Sequence, residues 1–403
     1  MPSEHAAHWI LDPAVTFLNH GSFGATPRPV LEAQQEWRER MEREPVRFMV
    51  ETLEPELDRA RLALASFVGA DADDLAFVTN ATSGCNAVLR SLRFQRDDEL
   101  LTIDHAYNAV KTTMEFVAER AGARVKVVDV PFPLASEAEL IDPVLAAVTP
   151  RTRLAVLDHV TSATALVLPI GRLVAALAER GVDTLVDGAH APGQVTLDLD
   201  ALGAAYYTGN LHKWVCAPKG AAFLWVRRDR QAAIRPLTIS HGANSPRTDR
   251  SRFRLEFDWQ GTADPTAVLA VPEALAFGAS LLAGGWDALR LRNHDLAVAA
   301  RDMLCAVTDQ PLPAPDGMIG SMAAVPLDWE DSPGTVQGID LDNDPIHAGL
   351  LAAGVQVMVT PWPQRPTGGP WRRLVRVSAA AYNDIGDMRR LANALAGMLE
   401  GSR

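Results

Sequence analysis

The sequence lacks the features of membrane, secreted and nucleic-acid-binding proteins. No uninterrupted apolar run reaches the roughly 20 residues that cross a bilayer. Met1–Asp12 contains no apolar segment of a secretion signal. Lys and Arg total 38 against 50 Asp and Glu, and the net charge of −12 disfavours a phosphate-binding surface. We therefore expect no membrane and no nucleic acid among the partners.

Cysteine is also scarce. The three cysteines, Cys85, Cys216 and Cys305, show neither the spacing of a metal site nor an evident disulfide pairing. This pattern suits a reducing compartment, so we expect a cytoplasmic protein without a bound metal. Apolar residues make up 48% and charged residues 22% of the chain, as in ordinary globular proteins. A length of 403 residues suits a large domain with a smaller one, in an enzyme that acts on small molecules.

Short apolar runs alternate with amphipathic helical patterns through the first two thirds of the chain. Such strands, apolar on both faces, predict a mainly parallel sheet covered by helices on both sides. Seven strands are predicted, at Leu75–Val78, Glu99–Ile103, Val125–Val130, Leu154–Leu157, Thr184–Val186, Ala204–Tyr207 and Gly220–Val226. A long Ala/Leu-rich helix is predicted near Gly261–Ala283. Neither G-x-G-x-x-G nor G-x-x-x-x-G-K-[ST] follows a strand, which argues against a nucleotide-binding α/β protein.

The rest of the chain predicts a smaller α+β domain. A helix from Trp286 leads into further strand and helix patterns, among them a strand at Gln337–Leu341. The Pro/Gly-rich run Pro361–Trp371 predicts a loop. We therefore divide the chain into an N-terminal loop segment (1–28), a large domain (29–285) and a small C-terminal domain (286–403).

One lysine is placed unusually. Lys213 follows the predicted strand Ala204–Tyr207 in the run T-G-N-L-H-K-W, although most lysines lie on solvated faces. A Schiff-base lysine must be neutral part of the time, which burial achieves by disfavouring the charged form. Taken alone, the motif fits a surface lysine equally well. The motifs upstream favour the chemical interpretation.

Asp187 ends an apolar strand and is followed by glycine. Ligands of open α/β sheets bind beyond the carboxyl ends of the strands. A buried aspartate there would keep the pyridine nitrogen of pyridoxal 5'-phosphate (PLP) protonated. The alternative is an aspartate that caps the next turn. Asn80–Gly84 follows another strand and opens a helix, which suits either a phosphate cradle or a plain N-cap. Together with Lys213, the three motifs predict a PLP site.

The motifs resemble one family across essentially the whole chain, from Asn19 to Asn383. They read N-H-G-S-F-G, N-A-T-S-G, D-G-A-H-A-P-G, G-N-L-H-K-W and R-V-S-A-A-A-Y-N. They are similar to the class V aminotransferase family of fold-type I PLP enzymes, and most of all to its isopenicillin N epimerase-like branch. The resemblance implies a fold-type I PLP-dependent transferase large domain, with residues 1–28 contributing to the small domain and the active site.

The resemblance also implies individual roles. Lys213 matches the Schiff-base lysine and Asp187 the partner of the pyridine nitrogen. Tyr107 would place a phenol near the substrate as an acid or orienting group. The remaining cofactor contacts that it implies are Ala81, Thr82, Ser83, Asn210 and His212 at the phosphate, His190 and Ser162 at the phenolic oxygen, and His105 stacked on the ring. Ser162 departs from the Asn of desulfurase relatives and has a shorter reach.

For the substrate, the resemblance implies that Arg376 holds an α-carboxylate, with Asn19 and His20 closing over the same group. Thr262 resembles the residue with which a neighbouring subunit touches the phosphate, which implies a homodimer with shared active sites. An N-cap for the following helix is a compatible role for Thr262.

The implied activity starts from Cα deprotonation of an amino acid bound as an external aldimine. Epimerisation follows if a second acid returns the proton to the opposite face, and a C–S lyase follows if a β-sulfur group leaves. Thr360–Leu374 contains no cysteine to accept sulfur, unlike a desulfurase. Transamination and a non-catalytic PLP-fold scaffold are further alternatives. The joint presence of Lys213, Asp187 and Arg376 argues against the scaffold.

Overall fold

The computed structural model describes residues 3–327, 344–363 and 372–401. A seven-stranded sheet forms its centre, in the order β2-β8-β7-β6-β5-β3-β4. Only β8 runs antiparallel to its neighbours, so the predicted mainly parallel sheet is confirmed. The strands are β1 (Thr16–Phe17), β2 (Leu75–Val78), β3 (Glu99–Ile103), β4 (Arg124–Val128), β5 (Thr152–Asp158), β6 (Asp183–Asp187), β7 (Tyr206–Asn210), β8 (Ala222–Val226), β9 (Met322–Leu327), β10 (Val355–Gln356), β11 (Met358–Trp362) and β12 (Arg372–Ser378).

Apolar side chains cover both faces of this sheet. In β5, Leu154 and Val156 pack into one core while Ala155 and Leu157 pack into the other. Alternate residues of a strand point to opposite faces, so a doubly covered strand must be apolar throughout. The α-helices are α1 (His20–Phe23), α2 (Arg28–Arg43), α3 (Pro45–Arg47), α4 (Leu53–Val68), α5 (Ala81–Ser91), α6 (Asn108–Ala121), α7 (Ala138–Ala146), α8 (Ile170–Ala178), α9 (Leu199–Leu202), α10 (Arg252–Asp258), α11 (Thr266–Leu269), α12 (Val271–Ser280), α13 (Gly285–Thr308), α14 (Pro345–Ala352) and α15 (Ile385–Gly401).

The C-terminal part contains a three-stranded antiparallel sheet in the order β11-β12-β9. The N-terminal segment joins this part, because β1 pairs in parallel with β10 and places Thr16 opposite Val355. Asn383 reinforces the connection by donating from Nδ2 to the carbonyl of Phe17 at 3.1 Å. Residues just after β1 are thereby held beside β12. The domain boundaries given above stay a prediction.

Two sequence expectations differ from the structure. The long helix predicted near Gly261–Ala283 is two shorter helices, α11 and α12, which meet at Ala270. Pro272 in the first turn of α12 lacks a backbone N–H, so the helical hydrogen-bond ladder is interrupted there. The predicted strand Gln337–Leu341 and most of the loop Pro361–Trp371 lie outside the described residues. Pro361 and Trp362 belong to β11.

Among the described helices, none is by itself long and apolar enough to span a bilayer. Thr266–Ser280 and Gly285–Thr308 reach that length and composition only when taken as one pair, and this pair is bent by 69°.

Candidate active site

Lys213 lies just beyond the carboxyl end of β7, in a half-buried position. Its Nζ is 3.0 Å from Nε2 of His190. Removal from water lowers the pKa of Lys213 to about 7, with a smaller contribution from the positive charge of Arg376. The amine is therefore neutral in a large fraction of molecules near neutral pH, as a nucleophile or base must be.

His190 is buried and belongs to the same polar cluster. Burial and the neighbouring charge of Lys213 lower its pKa well below the usual value, so the imidazole is neutral. Its Nδ1 has no hydrogen-bond partner among the residues that the structure describes. A buried polar atom of this kind is satisfied when a ligand supplies a matching group.

Asp187 ends β6, next to β7 in the sheet, and is only 3% exposed. The backbone N–H of Ala189 donates to its Oδ1 at 3.0 Å. Burial raises the pKa of Asp187, while the Ala189 N–H and the charge of Lys213 oppose that rise. Gly188 is required after it, because a Cβ there would collide with the ring of Tyr207.

The N-terminus of α5 faces the same edge of the sheet. Asn80 caps the helix, and its Oδ1 accepts a hydrogen bond from the Ser83 N–H at 2.8 Å. Asn210, at the end of β7, accepts from the Ala81 N–H at 2.8 Å, so it ties this turn to the strand that leads to Lys213. Thr82 and Ser83 are partly exposed on this first turn. Peptide N–H groups of a first turn lack partners within the helix and suit an anion.

His212 precedes Lys213 and is partly buried. Its Nδ1 lies 3.1 Å from the carbonyl of Ala221, which accepts a hydrogen bond and fixes the ring. Burial lowers the pKa of His212 to about 4, with Lys213 acting in the same direction. The ring is therefore a neutral hydrogen-bonding group beside the Asn210 strand end.

His105 is placed differently from an open stacking position. It is completely buried, with Nδ1 2.8 Å from Thr164 Oγ1 and Nε2 3.0 Å from the carbonyl of Val130. The edge of its ring meets Trp362 at a centroid distance of 4.5 Å. Tyr107, in contrast, is 39% exposed and close enough to raise the pKa of Arg376. The stacking role of His105 stays a prediction.

Arg376 is a buried cation on β12, only 1% exposed. Its guanidinium donates to the carbonyl of Ser162 at 2.6 Å, to Ser22 Oγ at 2.9 Å and to Asn19 Oδ1 at 3.3 Å. Its Nε has no partner within the described ranges, and no carboxylate there forms an ion pair with it. Burial lowers its pKa to about 10. A buried cation surrounded by neutral groups is suited to an anionic ligand.

His20 supports Lys213 rather than Arg376. The Ala25 N–H donates to His20 Nδ1 at 3.3 Å, and the Tyr382 hydroxyl lies 2.7 Å from the same atom. A backbone N–H can only donate, so Nδ1 accepts and the proton is on Nε2. Nε2 then donates to the carbonyl of Lys213 at 3.0 Å. Of the predicted pair, the structure brings Asn19 to Arg376 and His20 to Lys213.

Two predicted positions have other surroundings. Ser162 reaches Arg376 through its carbonyl, and its hydroxyl is 3.4 Å from the same guanidinium. Thr262 is exposed on the surface, and none of the described contacts joins it to Lys213 or Asp187. Cys85 and Cys216 are free thiols, and burial raises the pKa of both, that of Cys216 to about 12.

Sequence reasoning missed two residues of this site. Ser22 lies in the same N-H-G-S-F-G motif as Asn19, which was the available signal. Asp158 ends β5 beside Asp187, but the predicted strand stopped at Leu157. Its carboxyl is 3% exposed, and its Oδ1 has no partner among the described residues.

A buried lysine after one strand, an aspartate at the end of the next and a helix N-terminus beside both define a fold-type I PLP enzyme. His190 has an unsatisfied nitrogen suited to a phenolic oxygen, and Arg376 has one suited to a carboxylate. The first turn of α5 supplies N–H groups suited to a phosphate. The residues therefore fit this cofactor. The chain belongs to the class V aminotransferase family, whose model, described as Aminotransferase class-V, matches residues 17–391. The predicted family and cofactor are thereby confirmed, and the protein is a PLP-dependent enzyme.

Two relatives are similar over nearly the whole chain. Isopenicillin N epimerase of Amycolatopsis lactamdurans is 38% identical over 96% of this chain and 95% of its own. A probable chloroplastic L-cysteine desulfhydrase of Arabidopsis thaliana is 33% identical over 98% of this chain and 85% of its own.

Solved structures show the same fold. The cysteine desulfurase CsdA of Escherichia coli superimposes with a TM-score of 0.77 at 20% identity, covering 98% of both chains. The cystine C-S lyase C-DES, in complex with its product cysteine persulfide, gives 0.75 at 21% identity over 95% of this chain and 97% of its own. At these identities the likeness concerns the fold, which confirms the predicted fold class.

Proposed function

We propose that this enzyme removes the Cα proton of an α-amino acid and adds a proton to the opposite face of Cα, as an epimerase. One observation carries the proposal: a lysine amine with a pKa of about 7 lies near enough to Arg376 for the arginine's charge to lower that pKa, and Arg376 is a buried cation to which no described carboxylate is paired. The first group suits proton transfer at neutral pH, and the second suits the carboxylate of an amino acid.

PLP, when bound, provides an electron sink for the charge left at Cα. The residues proposed to hold it follow the sequence assignments. Asp187 would pair with the pyridine nitrogen, and His190, which lies beside Lys213, would bind the phenolic oxygen. The proposed phosphate contacts are Ala81, Thr82, Ser83, Asn210 and His212, with Ala81 acting through its place in the helix turn because its N–H already bonds Asn210.

Arg376 and Asn19 orient the substrate. A guanidinium binds a carboxylate with two parallel hydrogen bonds and so fixes the direction of the Cα–H bond. Ser22 Oγ and the carbonyl of Ser162 accept hydrogen bonds from the guanidinium and hold it in place. Lys213 then takes the Cα proton, and a second group must act from the opposite side.

Tyr107 is our candidate for that second group. Its side chain is exposed and interacts electrostatically with Arg376, which supports a place near the substrate. In the epimerase proposal its phenol returns a proton to Cα. The alternative reaction is β-elimination, in which the Cβ–S bond breaks and the sulfur leaves with a proton. Relatives named L-cysteine desulfhydrase, at 33% and 34% identity, favour this alternative.

Both proposals are tested by incubating the PLP-loaded enzyme with a panel of amino acids in deuterated water. Epimerisation predicts Cα deuterium together with inverted chirality. Elimination predicts ammonia and a keto acid, together with sulfide from cysteine or a sulfenic acid from an S-alkylcysteine sulfoxide. Lys213→Ala must abolish both, and Lys126→Ala, on β4, serves as the matched control. Absence of Cα exchange with every amino acid would contradict the proposed deprotonation.

We further propose a cytoplasmic homodimer with shared active sites. The exposed position of Thr262 suits contact with a second subunit, as do the exposed apolar side chains Phe23, Val46 and Val50. Light scattering with size-exclusion chromatography tests the dimer. Thr262→Ala should then weaken PLP binding without dissociating the subunits. A monomer with full activity would contradict this proposal.

A further inference from the structure

Asp158 and Asp187 are the last residues of two neighbouring parallel strands, and they are paired in register. Register partners in a parallel sheet point their side chains to the same face, and the strands lie about 4.8 Å apart. Each residue is only 3% exposed. Two carboxyl groups therefore lie side by side, away from water, at the edge where the cofactor is proposed to bind.

Two ionised carboxylates in such a position are unfavourable. Asp187 receives the Ala189 N–H at 3.0 Å, and Lys213 stabilises its charge. The backbone of Tyr107 interacts with the Asp158 carboxyl, but no donor within the described residues reaches its Oδ1. Burial and then the charge of Asp187 raise the pKa of Asp158 well above its usual value.

The groups that face the pair come from several elements. Lys111 and the backbone of Tyr107, on or next to α6, favour the ionised form of Asp158, as does Lys213 more weakly. The Lys111 amine donates to the carbonyl of Asp104 at 2.8 Å. Cys85 on α5 is near both carboxyls and remains a thiol, and Tyr207 on β7 is near Asp187 and remains a phenol. Neither of these two residues adds a positive charge to the pair.

We propose that Asp158 is a positioning residue that keeps a proton at neutral pH and shares it with Asp187, so that the two side chains carry one negative charge toward the pyridine nitrogen. The protonated Asp158 donates a hydrogen bond to the Asp187 carboxylate, and this hydrogen bond lowers the basicity of Asp187. Asp187 is thereby held in one orientation as a weaker base. The inference rests on the proposed role of Asp187 as the pyridine partner.

Infrared spectroscopy of the protein tests the proton directly through the C=O stretch of a protonated carboxylic acid. We expect this band in the wild type above pH 7 and its loss in Asp158→Asn. Asp187→Asn should retain the band at low pH. Because the neighbouring negative charge is gone, Asp158 should lose its proton, and the band should disappear, at a lower pH than in the wild type. Asp104→Asn is the matched control, because Asp104 also follows a strand and is partly buried, with a pKa raised to about 6. A band that is absent from the wild type, or unchanged in Asp158→Asn, would overturn the proposal.

Absorbance titration of the bound cofactor tests the effect on Asp187. Asp158→Asn retains a donor and should titrate as the wild type does. Asp158→Ala removes it, strengthens the charge of Asp187 and should raise the apparent pKa of the chromophore, by about one unit. Equal titrations in the Ala variant and the wild type would refute the coupling. Failure of the proposed function is distinguishable, since it leaves the infrared band intact while Cα exchange or the Lys213-dependent chromophore is missing.

Discussion

The amine of Lys213 lies 3.0 Å from Nε2 of a histidine, His190, that burial keeps neutral. A neutral imidazole at this distance accepts a hydrogen bond from the ammonium form or donates one to the free amine. The histidine therefore adds no positive charge of its own, and the proton of Lys213 is governed by burial and by Arg376.

The low pKa of Lys213 makes stability depend on pH in the cofactor-free protein. Between pH 7 and about 10 the unfolded chain binds a proton on this lysine that the folded chain does not, so folding becomes more favourable as pH rises. Lys213→Met removes this contribution. Measured by denaturant unfolding across that range, the unfolding free energy of the wild type should rise relative to that of the variant, by at most about 1.4 kcal/mol per pH unit. A constant difference between the two proteins would contradict the assigned pKa.

Arg376→Lys should impair substrate binding more than it impairs folding. Lysine keeps the charge but loses the two parallel hydrogen bonds to a carboxylate. We expect kcat/KM to fall roughly 100-fold, from the loss of about 3 kcal/mol in charge-assisted hydrogen bonding, while PLP absorbance is retained. Steady-state kinetics measures this effect. Arg124→Gln, on the exposed end of β4, is the control and should behave as the wild type.

Gly188→Ala should destabilise the protein, because its Cβ would meet the ring of Tyr207. Overpacking of this kind costs about 1–3 kcal/mol. Gly171→Ala, in α8, is the matched control. Its Cβ would find its nearest neighbour 4.0 Å away, and alanine favours the helix. The Tm measured by thermal unfolding should therefore fall for Gly188→Ala only. A lower Tm for Gly171→Ala than for Gly188→Ala would contradict the packing described next to Asp187.

Tyr382→Phe removes the hydroxyl that lies 2.7 Å from Nδ1 of His20. Nδ1 keeps only the longer hydrogen bond from Ala25, so we expect a loss of about 1 kcal/mol in unfolding free energy. The carbonyl of Lys213 is held by the same ring, and the absorbance of the bound cofactor should therefore change as well. A stability loss without any spectral change would show that His20 does not position the lysine.

The parts predicted well from sequence are those with a local cause. Asp187 and Lys213 lie at or just after the ends of apolar strands. Because parallel strands end at one edge of the sheet, residues in such positions are predicted to lie together at that edge. The environment of His105 was not visible, because Thr164, Val130 and Trp362 reach it from distant parts of the chain. The partner of His20 was hidden for the same reason. Asp158 belongs to no recognised sequence motif. Its proximity to Asp187 follows only from the register of β5 against β6, which the sequence does not reveal.

The pairing of β1 with β10 has a consequence for folding of the protein. Asn19 and His20 directly follow β1, yet the strand that pairs with β1 is distant in the chain, because Thr16 lies opposite Val355. Contacts between such distant parts of a chain form late because loop closure is costly. We therefore expect the sheet edge with Asp187 and Lys213 to form before Asn19 meets Arg376 during folding.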